Sequence, residues 1–300
     1  MIQAQTTTRK TNVTVTQRPA NELAVSITGR PYISWSQVSC MRRCPAQFFF
    51  RYVQRVPPEF LPESLKFGSA VHSAIETFCR GLMEGIELSA AELQQAYRLN
   101  WDDPKDAAVP VKFNKGQDAG TLSDLAGRML GAFLDSPLAK PSGRILAIEE
   151  TVCGPVDEEL PDVLARVDMV HADREFLHVV DYKTSKSRWN EAKASEAAEQ
   201  LILYRDLMGG MARSLGKPVR LGFGVLTKAK KPVAEYLPVP DRPGHVEQLL
   251  GTIRQVWAAV IAGNFYPNPS PMNCSTCPYR GRCPAVGGIV QPAAAESSRT

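Results

Sequence analysis

Residues 178–186 read HVVDYKTSK, and this stretch decides the fold. A buried β-strand is expected to stay apolar or to alternate, yet two valines here lead directly into Asp181, Tyr182 and Lys183. Side chains alternate along a strand, so Asp181 and Lys183 share one face while Tyr182 points to the other. The strand is therefore predicted to end in an acid and a base that reach the same site.

Two more strand patterns precede this one, ILAIEETV at 145–152 and VLARVDMV at 163–170. They predict a β-meander in which Asp168, on the middle strand, approaches Asp181. Two carboxylates at close range repel each other unless a cation lies between them, and oxygen ligands of this kind suit Mg²⁺ or Mn²⁺. For these residues alone, an ordinary salt bridge between Asp168 and Lys183 at a sheet end is the simpler alternative.

Helical patterns lie on both sides of these strands and indicate a mixed α and β fold. Helices are predicted at 34–53, with Ser34 or Ser36 as the cap, and at 67–82, 90–101, 121–133, 191–208 and 245–262. Further strands are predicted at 219–228 and 233–239, and the polar segment 102–120 is predicted to be a loop.

The composition suits a globular protein. Of 300 residues, 44% are hydrophobic, which is enough for a substantial core, and the net charge of +4 permits a nucleic-acid partner without requiring one. No apolar run is long enough to span a membrane and the first residues lack a signal-peptide core, so we expect a cytoplasmic protein with no membrane partner. Residues 31–284 are predicted to form one domain with a helical insertion at about 80–140, between flexible tails at 1–30 and 285–300.

Seven cysteines cannot all pair as disulfides, and three of them form the spacing C-x₂-C-x₅-C at Cys274, Cys277 and Cys283. Three thiolates are one short of the usual four for zinc or an iron–sulfur cluster. The fourth ligand is predicted to be Cys44, or Cys40, which lies one helical turn earlier.

The order of these motifs resembles the PD-(D/E)XK nuclease superfamily, in particular its RecB-like branch. Asp168 is followed by the D-x-K triplet at 181–183 and then by Q-x-x-x-Y at Gln200 and Tyr204, and an earlier G-x-x-x-H ends at His72. The resemblance implies a restriction-endonuclease-like core, with a central mixed sheet flanked by helices, a helical N-terminal part and a C-terminal cysteine-rich loop.

The resemblance also assigns roles to these residues. It implies that Asp168, Asp181, the carbonyl of Tyr182 and His72 bind Mg²⁺ or Mn²⁺, and that Lys183 is the catalytic lysine. Gln200 and Tyr204 lie at i and i+4 on one helix face, where they can meet a phosphate near the site. Glu149 or Glu150 is expected to supply an additional acid.

Relatives of the AddB and CRISPR-associated "Cas-four" kinds hold a [4Fe–4S] cluster with one cysteine before the nuclease core and three after it. This pattern implies that Cys44 joins Cys274, Cys277 and Cys283 as cluster ligands, with structural Zn²⁺ as the alternative. Three lysines that follow a predicted strand are candidate phosphate contacts: Lys228, Lys230 and Lys231.

Together these features predict a metal-dependent DNA exonuclease that acts on single strands or duplex ends, in recombination, repair or phage DNA metabolism. A helicase, a recombinase or an integrase is an expected partner besides DNA. The alternatives are a nuclease of CRISPR spacer adaptation, a non-catalytic DNA-end-binding module, and a zinc-stabilised restriction-type endonuclease.

Overall fold

The computed structural model describes residues 18–240 and 242–286. Its α-helices are Pro19–Thr28 (α1), Trp35–Arg43 (α2), Pro45–Phe48 (α3), Glu63–Glu84 (α4), Ala90–Trp101 (α5), Ala119–Leu134 (α6), Glu191–Ala197 (α7), Glu199–Leu207 (α8), Gly209–Leu215 (α9), His245–Ile261 (α10) and Pro271–Ser275 (α11). Its strands are Tyr32–Ser34 (β1), Leu61–Pro62 (β2), Val111–Lys112 (β3), Arg144–Gly154 (β4), Asp162–Ala172 (β5), Leu177–Ser185 (β6), Val219–Thr227 (β7) and Ala234–Pro238 (β8).

Six strands form one mixed sheet. Strands β4, β5 and β6 make the predicted antiparallel meander, β6 pairs in parallel with β7, and β8 pairs antiparallel with β7. The parallel pair is joined through helices α7 to α9, because two parallel strands need a long crossover. Strand β1 lies parallel to the first residues of β5. The predicted fold class, a central mixed sheet flanked by helices, is confirmed.

Apolar side chains cover both faces of this sheet. One core includes Val179 of β6 and Trp257 of α10, and the other includes Phe133 of α6 and Tyr182 of β6. The alternation of Val179 and Tyr182 along β6 therefore separates the two cores, as the strand period requires. Within the part of the chain described, no helix is long and apolar enough to cross a membrane.

The N-terminal segment differs from its prediction, since residues 19–28 form helix α1 and not part of a disordered tail. Its buried residues are small or polar, so no apolar stripe marks the helix in the sequence: Asn21, Ala24 and Thr28. Polar contacts hold it instead. The side chain of Asn21 accepts a hydrogen bond from the N–H of Asp162 at 2.7 Å, and Arg18 pairs with the Asp162 carboxylate at 3.0 Å.

The remaining parts of the predicted tails, residues 1–17 and 287–300, lie outside the described residues.

The segment 34–53 is not one continuous helix. Ser34 caps α2 through a capping box with Gln37, as predicted, but α2 ends at Arg43 and Cys44 is extended, with φ −158°. Pro45 then starts α3, because proline lacks an N–H and disfavours a helical conformation in the residue before it. Cys44 therefore does not continue the helix face that carries Cys40.

Two other predicted segments are also divided or shortened in the structure. The helix expected at 191–208 consists of α7 and α8, separated at Ala198. The loop expected at 102–120 contains a 3₁₀ turn at Pro104–Asp106 and the two-residue strand β3, which pairs with β2.

Candidate active site and metal centre

The candidate site lies where strands β5 and β6 separate. Their paired residues end with Met169 and Val180, and the earlier part of β5 pairs with β1 instead. At this fork the main-chain N–H of Tyr182 donates a hydrogen bond to Oδ2 of Asp168 at 2.7 Å. A buried N–H needs an acceptor, so this bond both completes the end of the ladder and fixes the Asp168 carboxylate.

Three side chains from three elements converge beside the fork. His72 of α4, Glu149 of β4 and Asp168 of β5 each offer one ligand atom, and these atoms lie within 4.8 Å of one another. Nδ1 of His72 is 3.5 Å from Oδ2 of Asp168. Among the described residues, no other group of three or more histidine, cysteine or acidic side chains meets this distance.

The choice between Glu149 and Glu150, open in the sequence, is decided by the register of β4 and β5. Glu150 pairs with Val167, which places Glu149 opposite Asp168. Glu149 lines the cavity of the site. Its backbone has φ +52°, a left-handed conformation that is strained for a residue with a side chain, and such strain is common at functional sites.

A chain of polar contacts extends from the other side of the fork. Nζ of Lys183 lies 2.7 Å from Oδ2 of Asp181 and donates a hydrogen bond to Oε1 of Gln200 at 3.1 Å. The amide group of Gln200 in turn donates to the hydroxyl of Tyr204 at 2.7 Å. The predicted shared face of Asp181 and Lys183 and the predicted neighbouring positions of Gln200 and Tyr204 are therefore both present.

Tyr182 points away from the site, as the alternation along the strand predicts. Its side chain is fully buried, with the hydroxyl 4.0 Å from Sγ of Cys79 and 3.7 Å from Sδ of Met169, and its ring meets that of Phe133 edge to face. The Tyr182 backbone acts on His72 and raises the pKa of its imidazole, so this backbone lies beside the metal-binding group. The buried ring anchors the strand that carries Asp181 and Lys183.

Burial controls the protonation of the converging side chains. Desolvation, followed by the charge of Asp181, raises the pKa of Asp168 to about 7. Desolvation and the neighbouring Asp168 raise the pKa of Glu149. Burial lowers the pKa of His72, although the charge of Asp181 opposes this shift, so the imidazole is neutral near pH 7 and able to donate a nitrogen lone pair.

Two buried carboxylate oxygens of the site accept no hydrogen bond: Oε2 of Glu149 and Oδ2 of Asp181. Each lies beside a cationic side chain, Arg166 or Lys183, but not in hydrogen-bonding geometry. A buried carboxylate oxygen that accepts no hydrogen bond is costly in free energy, and a divalent cation would offset this cost by binding the oxygen directly. The residues present therefore fit an ion that prefers oxygen ligands and accepts one imidazole, such as Mn²⁺ or Mg²⁺.

All these side chains open into one cavity of about 440 Å³ between α4 and α8. Its floor holds the acids and Lys183, and α8 contributes Gln200 and Tyr204. The rest of the lining is mostly small and polar, with one leucine and one glutamate, and most of it belongs to α4: Ser36, Ser64, Leu65, Gly68, Ser69, Ser73, Glu76 and Asn100. This arrangement can bind a metal ion on one side, hold a lysine beside it and admit a narrow polar chain.

Four cysteines lie together at a second place in the fold. Cys44, Cys274, Cys277 and Cys283 line one cavity beside the small core formed around Phe50 and its neighbours Ala46 and Tyr279. No three of these sulfur atoms lie within 4.8 Å of one another. The structure thus gathers the four predicted ligands, but with wider spacing than a single ion needs.

Cys40, the alternative fourth ligand, does not line this cavity. Its side chain is buried in the large core near Phe48 and Tyr52, and burial raises the pKa of its thiol. The break at Pro45 accounts for the difference, because it turns the chain between Cys40 and Cys44. Among the two cysteines, Cys44 is the one placed with the C-terminal three.

The three candidate DNA-contacting lysines follow β7 at the same end of the sheet as Lys183. The N–H of Lys228 donates a hydrogen bond to the carbonyl of Ser185 at 2.6 Å, and its ammonium group lies 4.8 Å from the centre of the Phe67 ring. Lys230 and Lys231 are exposed. Their DNA-binding role stays a prediction.

Arg166, which was not among the predicted site residues, lines the cavity and lies two residues before Asp168 on β5. The polar wall that α4 contributes to the cavity was not predicted either. A signal for that wall was present, because Gly68, Ser69, His72 and Ser73 recur at helical spacing on one side of an amphipathic helix.

Known proteins with a similar sequence or fold include nucleases. The profile of the PD-(D/E)XK nuclease superfamily matches residues 32–284. The "Gene 69 protein" of Mycobacterium phage L5 is 24% identical over 295 residues, which cover 85% of this chain and 96% of that protein. The crystal structure of an exonuclease candidate from Eubacterium rectale aligns with a TM-score of 0.54 and 12% identity, over 94% of this chain and 97% of its own.

Proposed function

Because the chain belongs to the PD-(D/E)XK nuclease superfamily, we propose that it is a metal-dependent DNA exonuclease that hydrolyses phosphodiester bonds at strand ends. The single observation that carries this proposal is the meeting of four groups at one fork of the sheet. Asp168, Asp181, Lys183 and the His72–Glu149 pair all face one cavity, and two of their oxygens lack hydrogen-bond partners. A metal ion held by these acids would polarise a phosphate, and a lysine beside it can stabilise the negative charge that develops, so the arrangement suits phosphodiester hydrolysis.

Different residues of the cavity would have different roles in hydrolysis. Asp168, Asp181, Glu149, His72 and the Tyr182 carbonyl would hold Mg²⁺ or Mn²⁺, which supplies Lewis-acid polarisation of the scissile phosphate when bound. Lys183 is oriented by its contacts with Asp181 and Gln200, so its ammonium group can position the attacking water and stabilise negative charge on the phosphate.

Gln200 and Tyr204 have a supporting role. Gln200 accepts a hydrogen bond from Lys183 and donates one to Tyr204, so the side chain of the lysine is fixed from α8. The remaining hydrogen-bonding capacity of the Tyr204 hydroxyl is available to a substrate phosphate.

A similar solved structure favours exonuclease activity over endonuclease activity. The protein from Eubacterium rectale that aligns over 94% of this chain is an exonuclease candidate. We therefore propose exonuclease activity on single strands or on duplex ends whose strand can enter the cavity.

The phage relative favours a role in phage DNA metabolism over CRISPR spacer adaptation. A protein that is 24% identical along nearly its whole length comes from Mycobacterium phage L5. Recombination or repair of phage DNA would require single-stranded overhangs, which an exonuclease produces by removing nucleotides from one strand of a duplex end. A recombinase or a helicase is the expected partner class, and an integrase would be expected only in the CRISPR alternative.

We also propose a [4Fe–4S] cluster at Cys44, Cys274, Cys277 and Cys283. A zinc ion bound at about 2.3 Å from each thiolate would bring all four sulfurs to about 4 Å from one another. No three of the four sulfurs lie within 4.8 Å of one another, which favours a larger group in which each thiolate binds a different iron atom. Such a cluster would connect the N-terminal and C-terminal parts of the domain.

The decisive experiment compares wild type with Asp181→Ala, both purified without oxygen. End-labelled linear single strands, linear duplex and closed circular DNA are incubated with Mg²⁺, Mn²⁺ or chelator. We expect metal-dependent loss of linear substrates by the wild type alone. Cleavage of closed circles would identify an endonuclease, and a folded, metal-binding protein that cuts no substrate would identify a DNA-end-binding module.

A further inference from the structure

An exposed arginine stands at the edge of the metal-binding group. Arg166 lies on β5 two residues before Asp168, and its Nε pairs with Oε2 of Glu149. The Arg166 side chain is 65% exposed, whereas that of Glu149 is only 11% exposed. Arg166 is exposed enough to contact a large ligand. Its partner Glu149 belongs to the buried metal-binding group.

Glu149 has two competing sets of partners. Its carboxylate belongs to the group with His72 and Asp168, and the same side chain neutralises Arg166. Oε2 of Glu149 has no hydrogen bond of good geometry, so the contact with Arg166 does not complete its hydrogen bonding. A divalent cation would attract the Glu149 carboxylate more strongly than one guanidinium group does and would weaken its hold on Arg166.

The Arg166 guanidinium has one ion-pair partner among the described residues, Glu149, and its charge also acts on the nearby Asp168, which belongs to the same metal-binding group. The other ammonium group that lines the cavity, that of Lys183, is engaged by both Asp181 and Gln200. An arginine released from Glu149 would need a new anion, and its planar guanidinium group binds a phosphate through two parallel hydrogen bonds.

On the basis of the proposed nuclease function, we propose that Arg166 is a metal-gated phosphate-binding residue. Without metal, Glu149 holds it at the cavity wall. When an ion occupies the group formed by His72, Glu149 and Asp168, Arg166 is released and binds a backbone phosphate adjacent to the scissile one. DNA would thus be held firmly only by protein that carries its metal.

The test measures DNA binding in a background that cannot cut. Lys183→Ala alone and Lys183→Ala with Arg166→Gln are titrated against a fluorescent single-stranded oligonucleotide, at several salt concentrations, with chelator or with Mg²⁺. With Mg²⁺ we expect Arg166→Gln to weaken binding about tenfold and to reduce the salt dependence by about one phosphate contact. With chelator the two proteins should bind alike. Arg144→Gln, which removes an exposed arginine at the start of β4, serves as the matched control and should change neither value.

A second readout does not involve DNA. Because Arg166 and the metal compete for Glu149, Arg166→Gln should bind Mg²⁺ more tightly than the parent, as measured by calorimetry or by the metal-induced rise in Tm. Equal DNA binding by the two proteins with Mg²⁺, an equal loss with and without Mg²⁺, or weaker Mg²⁺ binding by Arg166→Gln would each overturn the proposal. Failure of the nuclease function itself would appear separately, as absent metal-dependent cleavage by the wild type.

Discussion

The main-chain N–H of Tyr182 donates a hydrogen bond to the carboxylate of Asp168 across the fork between β5 and β6. This bond replaces the ladder contact that would be lost where the strands separate, and it uses a side chain of the site to do so. The same hydrogen bond therefore satisfies the backbone at the fork and fixes the position of the Asp168 carboxylate. The same carboxylate belongs to the group with His72 and Glu149.

Metal binding should depend on pH through Asp168. Its pKa is raised to about 7, from an ordinary value of about 4, so the metal-free folded protein retains a proton that the unfolded chain has lost. The contribution of this group to stability is therefore largest below about pH 4 and decreases as the pH rises to about 7. Mg²⁺ binds the carboxylate form, so its stabilising effect should increase over the same range.

The measurement is the difference in Tm between Mg²⁺ and chelator, taken at pH 5.5 and pH 8. At a metal concentration about 100 times the Kd, the gain at pH 8 should be about 5 °C, and it should be clearly smaller at pH 5.5. Asp168→Asn, which cannot ionise, should show a smaller pH-dependent gain, because only Glu149 then remains as an acid with a raised pKa in the metal-binding group. A gain that is the same at both pH values would contradict this assignment.

Lys183→Ala should reduce the rate of cleavage by about a thousandfold, because the variant loses the group that positions water and stabilises the phosphate charge. Folding and metal binding should persist, since Lys183 is half-buried and its backbone pairing with β7 is unaffected. Single-turnover cleavage with saturating enzyme separates this effect from DNA binding. Lys140→Ala, at an exposed position away from the cavity, is the control, and equal rates for both variants would exclude a catalytic role for Lys183.

Tyr204→Phe should lower the cleavage rate about threefold to tenfold without loss of stability. The change removes the hydroxyl that accepts the hydrogen bond of Gln200, so the contact that orients Lys183 is weakened but not lost. Tyr236→Phe makes the same chemical change outside the cavity and should leave the rate unaltered. If both variants behave like wild type, the hydroxyl of Tyr204 has only a packing role.

Cys44→Ser should abolish iron binding, whereas Cys40→Ser should retain it. The reason is the chain break at Pro45, which places Cys44 in the cavity with the C-terminal cysteines and leaves Cys40 in the large core. Iron content per chain and the visible absorption of the cluster, measured on protein purified without oxygen, distinguish the two variants. Iron loss in Cys40→Ser with retention in Cys44→Ser would reverse the assignment, and zinc in both would replace the cluster by a single ion.

Much of the site could be predicted because it depends on local periodicity. The alternation along a strand places Asp181 and Lys183 on one face, and the spacing along a helix places Gln200 beside Tyr204. The missed features depend on contacts between distant segments. Helix α1 has small and polar buried residues held by Asp162, and periodicity does not detect such a helix.

The sequence by itself determined the strand order of the meander, the acid and lysine at its end, and the group of cysteines that needs a fourth ligand, because each is expressed in a short period or spacing. Only the tertiary structure decided between Glu149 and Glu150 and between Cys44 and Cys40. It also showed that Arg166 lines the cavity. These choices depend on the register of β4 against β5 and on the break at Pro45. The proline is itself a local signal for the break, but which cysteine then meets the C-terminal three, and which glutamate meets Asp168, depends on how separate segments pack and pair.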